Sequence, residues 1–123
     1  MTDRFVISPD GETVLDQSTG LTWQHQVPAE RFTWAAAKKY AAVLDLAGGG
    51  WRLPTVRELS GLVDYDRSDP AIDLAAFPDT PSERFWTASP DAGGAGNAWY
   101  VSFKHGYVYD YGVDFIGRVR CVR

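Results

Sequence analysis

Short runs of alternating character open the chain. Residues 4–7 read as a strand, Pro9-Asp10-Gly11 as a turn, and the β-branched, apolar Thr13-Val14-Leu15 as the returning arm of a hairpin. After the polar turn Asp16-Gln17-Ser18-Thr19-Gly20, Leu21-Thr22-Trp23 is a third extended piece. The period then lengthens. Trp34, Ala37, Ala41 and Leu44 fall on one helical face, with Thr33 placed as N-cap and Lys38, Lys39 and Asp45 off that face. The triplet Gly48-Gly49-Gly50 is expected to stop this helix. Trp51-Arg52-Leu53-Pro54 reads as extended, because the residue before a proline avoids the helical region. Thr55-Val56-Arg57-Glu58 fits a capping box, and Val56, Leu59, Leu62 and Val63 form the apolar stripe of a second helix.

Residues 64–83 show no period and contain Pro70, Pro78 and Pro81, so a long loop is predicted there. Period two then returns. Phe85-Trp86-Thr87-Ala88-Ser89 is a strand, and residues 98–103 set Trp99, Val101 and Phe103 against Tyr100 and Ser102. Lys104-His105-Gly106 reads as a hairpin turn, residues 107–111 as the next strand, and residues 117–122 as a closing one. Helices grouped between a small hairpin and a four-stranded meander predict an α+β fold, with one domain over residues 1–123.

Composition narrows the function. Twelve basic against sixteen acidic residues give a net charge of -4, which argues against a nucleic-acid binder and against adhesion to anionic membrane by charge alone. A single cysteine, Cys121, excludes an internal disulfide, and with only two histidines the usual Cys/His zinc sites cannot be assembled. That cysteine, inside a predicted strand, reads as a buried, inert thiol. No apolar run approaches the length of a membrane span, and no apolar signal region follows Met1-Thr2-Asp3-Arg4. The chain therefore reads as staying where it is made, or as extracellular where it is part of a larger surface protein.

Five motifs carry a resemblance. Asp16-Gln17-Ser18-Thr19-Gly20-Leu21-Thr22-Trp23-Gln24 is followed by Trp34, Ala37 and Tyr40, then by Trp51-Arg52-Leu53-Pro54-Thr55 with Glu58-Leu59. Phe85-Trp86-Thr87-Ala88-Ser89, Ala98-Trp99-Tyr100-Val101 and the terminal Val119-Arg120-Cys121-Val122-Arg123 complete the series. In this order they resemble the Lcl C-terminal domain family. The resemblance implies a C-type lectin-like fold, with two helices packed on a twisted antiparallel sheet. It implies a non-catalytic role like that of relatives that form trimeric adhesin tips binding sulfated polysaccharide, or that serve as the variable proteins of diversity-generating retroelements. Relatives often carry a cysteine in the first helix where this chain has Ala41, so Cys121 is expected to be unpaired. The Glu-Pro-Asn and Trp-Asn-Asp signatures of calcium-dependent lectins are absent.

Candidate ligand-binding residues concentrate near the end of the chain. Tyr107, Tyr109 and Tyr111 alternate along one predicted strand face, with His105, Asp110 and Asp114 beside them. Tyrosine offers a large, stiff contact surface with a polar tip, which suits a platform for a protein or glycan ligand. Packing of these rings into the core is the alternative, and Val108 on the opposite face is expected to serve the core. Trp86, Trp99 and Asn97 join the candidates as stacking rings and an amide for sugar hydroxyls, with a core role as the other reading for both tryptophans. Asp64, Asp66 and Asp69, with Asp73, are candidate oxygen ligands for calcium, though a solvated acidic loop explains them as well. Lys104, Arg118, Arg120 and Arg123 are a candidate anion patch, with Arg120 alternatively a structural ion-pair partner. No nucleophile, base and acid stand at a recognisable catalytic spacing. Chemistry of the formylglycine-generating type needs a cysteine pair, which this chain lacks. No cofactor is expected.

Overall fold

The computed structural model describes residues 3–93 and 96–123. The first sheet is antiparallel, with β1 (Phe5–Ile7), β2 (Thr13–Asp16) and β3 (Leu21–Gln24) side by side in chain order. Val14 stands opposite both Ile7 and Trp23. The turn into β3 is locked by one carboxylate. Asp16 accepts the Ser18 N–H and hydroxyl and a two-pronged guanidinium contact from Arg4 at 2.9 and 3.1 Å. Burial pushes the Asp16 carboxyl up, and these donors together push it further down, so it stays ionised below the usual carboxylate range. The second sheet, also antiparallel, holds β4 (Arg84–Pro90), β5 (Asn97–Ser102) and β6 (Tyr107–Gly112) in that order.

The helix α1 (Trp34–Val43) starts where the pattern places it, with the Thr33 hydroxyl accepting the Ala36 N–H. It ends before the glycine triplet, because Leu44 already turns to extended backbone (φ -67°, ψ 118°). The glycines instead close a short 3₁₀ turn, Leu46–Gly48. The helix α2 (Val56–Ser60) is only five residues long and is held by its cap. Thr55 accepts the Glu58 N–H at 3.2 Å, Glu58 accepts the Thr55 N–H at 2.8 Å, and Arg52 forks onto the same carboxylate at 2.7 and 2.9 Å. Leu62 and Val63 lie past the end of this helix yet stay buried.

The second sheet divides two cores. On one face Trp86 and Ala98 pack with Ala37 and Ala41 of α1, with Trp51 and Leu53, and with Val119 and Cys121. On the other, Phe85, Val101 and Phe103 pack with Leu59, Leu62 and Val63 and reach Val14 and Trp23 of the first sheet. The two helices therefore cover opposite faces of one sheet, and each apolar face is removed from water. The long loop of residues 64–83 forms no helix or strand, as predicted, but it is not merely surface. It sinks Ala71, Ile72, Ala76 and Phe77 into the larger core.

The predicted closing strand does not form. Residues 117–122 make isolated bridges instead: Gly117 to Phe32, Arg118 to Phe85, and Val122 to both Trp23 and Arg52. The segment threads between the two sheets, so no single partner strand runs alongside it. Arg120 is sealed within this thread at 1% exposure and meets no carboxylate among the described residues, which corrects the ion-pair reading. Its guanidinium donates to the carbonyls of Gln24 and His25 and to the Thr80 hydroxyl, and lies 4.7 Å over the Phe77 ring. Burial pulls it down to about 9, so it remains charged at neutral pH. Cys121 is buried and free, and burial pushes its thiol up to about 12. Among the described residues, no helix is long and apolar enough to cross a membrane.

Candidate functional site

Exposure rises steadily across the second sheet. Trp86, Tyr100 and Tyr109 stand opposite one another on β4, β5 and β6 and share one face. Trp86 is fully buried, Tyr100 is half-buried and Tyr109 is 49% exposed. The other face repeats the gradient. Phe85 and Val101 are buried, while Val108 is 36% exposed. The reason lies in which strands the helices cover. The helix α2 packs on β4 and β5 and α1 on β4, so β6 lies at the margin of both cores, with Tyr111 its one ring packed against either. The expectation that Val108 serves the core is corrected by this overhang.

On the Tyr face the rings form a continuous run. Ring centroids lie 5.7 Å apart for His105 and Tyr107, 6.1 Å for Tyr107 and Tyr109, and 5.9 Å for Tyr109 and Tyr100. The run continues from Tyr100 to Tyr111 at 5.8 Å and from Tyr111 to Phe115 at 4.5 Å. Such tilted and edge-on contacts fix each ring against its neighbour. The Arg84 guanidinium lies 4.5 Å over Tyr111 and donates to the Ile116 carbonyl. A groove of about 330 Å³ adjoins Tyr100 on this face, lined by Arg31, Ser82, Glu83, Arg84, Ser102 and Lys104. Within it Glu83 accepts both prongs of Arg31, at 2.7 and 2.9 Å, and Arg118 at 2.9 Å. These guanidinium contacts hold its carboxyl down at about 2.

The turn that sets this strand at its angle is braced from beneath. Gly106 has φ +84°, and a Cβ there would stand 2.4 Å from Cγ1 of Val63. Only a glycine both adopts the left-handed backbone and lets the turn rest on the residues after α2.

The predicted site residues divide. Tyr107 and Tyr109 are exposed on one face, Tyr111 is half-buried beside them, and His105 flanks Tyr107 from the exposed turn. Asp110 and Asn97 belong to the opposite face, where the Asn97 amide donates to the Asp110 carboxylate at 3.0 Å. A hydrogen bond with Asp91 and the Asn97 amide hold the Asp110 carboxyl below its usual range. Asp114 is exposed beyond the end of β6. Trp86 is sealed and leaves the candidate set. Its indole N–H donates to the Phe32 carbonyl at 2.8 Å, and Gly117 presses against that edge of the ring. Sequence reasoning missed Tyr100, Phe115, Ile116 and Arg84. The alternation of residues 98–103 does place Tyr100 opposite the core-directed Val101, but only the strand register shows that it meets Tyr109 and Tyr111.

The sequence profile of the Lcl C-terminal domain matches residues 12–123. The chain belongs to this family. No curated protein matches it. In this Lcl C-terminal domain the shared motifs are mostly framework. Asp16 locks a turn, Trp51 donates its indole N–H to the Leu46 carbonyl, Glu58 caps α2, and Arg120 and Cys121 are buried. The exposed tyrosines of β6 lie outside those motifs.

Two further candidate groups are dispersed by the fold. Asp64 accepts the Asp66 N–H and the Arg67 guanidinium, both at 3.0 Å, and Asp73 accepts the Ala75 N–H. The carboxylates of Asp64, Asp66 and Asp69 do not gather, and no metal-holding group of three forms among the described residues. The calcium reading is corrected accordingly. The terminal cations separate as well. Arg118 pairs with Glu83, Arg120 is sealed, and Arg123 donates to the carbonyls of Ala47 and Gly49. Of that set Lys104 remains on the Tyr face, now beside Arg84 and Arg31.

Proposed function

We propose that this Lcl C-terminal domain is a non-catalytic recognition module of C-type lectin-like architecture, and that the aromatic run on β6 presents itself to a protein or glycan ligand. One observation carries the reading: Tyr107 and Tyr109 stand 55% and 49% exposed on a strand whose neighbours are core. Large rings held outward cost little ordering on contact, because their neighbours already fix them. His105, Tyr111 and Tyr100 extend the same surface. Asp110 and Asn97 stand beside the apolar Val108 on its reverse side, and Asp114 lies beyond its far end.

The test is the double variant Tyr107→Ala/Tyr109→Ala on glycan and peptide arrays. The variant is expected to melt within a few degrees of wild type, as exposed substitutions do, and to lose wild-type array binding. Retained binding, or failure to fold, refutes the reading.

A second reading rests on the groove with Arg31, Arg84 and Lys104. It makes the chain an adhesin-tip domain that assembles as a trimer and binds anionic polysaccharide. Sedimentation of the purified chain, with and without heparin, tests it.

A further inference from the structure

The edge of β6 offers a contact that its side chains do not. Among the described residues, the main-chain groups of residues 107–111 bond only within the ladder with β5. Alternate residues of an antiparallel edge strand aim their N–H and C=O away from the neighbouring strand. Five residues, 107–111, extend this open edge over roughly 17 Å. Of the usual devices that blunt an edge, only one charged side chain, Asp110, is present. The strand Tyr-Val-Tyr-Asp-Tyr-Gly holds no proline and no lysine, and its six pairs with β5 run without a register shift. The opposite edge of this sheet is closed, since Trp86 donates to the Arg118 carbonyl and Arg118 to that of Arg84. The edge at β1 is only three residues long.

The two flanks of the open edge differ in chemistry. One presents Tyr107, Tyr109 and Tyr111; the other presents Val108 and Asp110, with Asp91 bonded through its N–H to the carbonyl of Asn97, whose amide meets Asp110. We propose that the ligand of this site is an extended polypeptide strand that pairs with the edge of β6 as a fourth strand, setting aromatic or apolar side chains on Tyr107 and Tyr109 and basic side chains beside Asp110. The proposal rests on the recognition reading above and deepens it. A row of main-chain donors and acceptors at strand spacing matches another polypeptide backbone, and a strand's period of two delivers alternate side chains to the two flanks. The Asp110 carboxylate selects for cations on one flank. A second copy of this chain fits less well. Antiparallel self-pairing would bring two Asp110 carboxylates onto the same face.

The experiment pans a displayed random octapeptide library against the intact chain and measures affinities of the enriched peptides. Enriched sequences are expected to alternate aromatic or apolar with basic residues. Single N-methylation along one such peptide is expected to weaken binding about tenfold at every second residue and little in between, since each methyl removes one ladder donor. Asp110→Asn is expected to weaken the same peptide several-fold. No enrichment, or an N-methyl scan without a two-residue period, overturns the proposal. A glycan that binds through Tyr107 and Tyr109 while no peptide does so overturns it and leaves the recognition reading standing. A concentration-dependent dimer blocked by the same tyrosine substitutions overturns it in favour of self-pairing.

Discussion

Trp86 and Tyr109 occupy the same sheet face two strands apart, and water reaches only one of them. Nothing in either residue type dictates this; the overhang of β6 does. Gly106 is the residue on which that overhang turns. Gly106→Ala introduces both left-handed strain and a contact of 2.4 Å with Val63. A loss of about 1–3 kcal/mol is expected in urea unfolding. Val63→Ala in the same background is expected to recover part of the loss, by relieving the contact and leaving the backbone strain. An additive double variant would show that the turn does not rest on Val63.

At the scale of elements, short segments here are held by polar locks more than by length. The helix α2 survives at five residues because a capping box and the Arg52 fork satisfy its first turn. Glu83 does comparable work between elements, tying Arg31 ahead of α1 to Arg118 in the closing thread. Its folded carboxyl is depressed to about 2 from 4.5, so its stabilising effect is complete above about pH 4.5. That effect fades as the pH falls through the folded value, because the unfolded chain then binds more protons. The melting temperature is expected to drop between pH 5 and pH 2. Glu83→Gln should lower it at pH 7 and flatten its slope in that acid window. An unchanged slope in the variant would exclude Glu83 as a source, leaving Asp10, Asp16, Glu58 and Asp110, whose carboxyls are also lowered.

For the molecule as a whole, the closing thread joins what the strands leave separate. Val122 bridges Trp23 of the first sheet and also Arg52, while Arg118 bridges Phe85 of the second. Val119 and Cys121 lie in one core and Val122 in the other. Ending the chain at Gly117 is therefore expected to remove side chains from both cores at once and to abolish cooperative unfolding by calorimetry. A sharp transition in that truncated chain would show that the thread is an accessory to two independently stable layers.

The amino-acid pattern alone determined the order of elements, the caps at Thr33 and Thr55, and the alternation of tyrosines along β6. These follow from local sterics and from periods of 3.6 and 2, which short windows contain. The same windows placed the final residues in a strand and the end of α1 at the glycines. They carry no account of which neighbour is available to pair, nor of where Leu44 must turn to reach the core. Tertiary structure decided that Trp86 is sealed and Val108 exposed, that Tyr100 completes the ring run, and that Asp110 and Asn97 face away from it. Burial is a property of what stands opposite a residue. On the second sheet that is settled by two helices covering β4 and β5 and stopping short of β6.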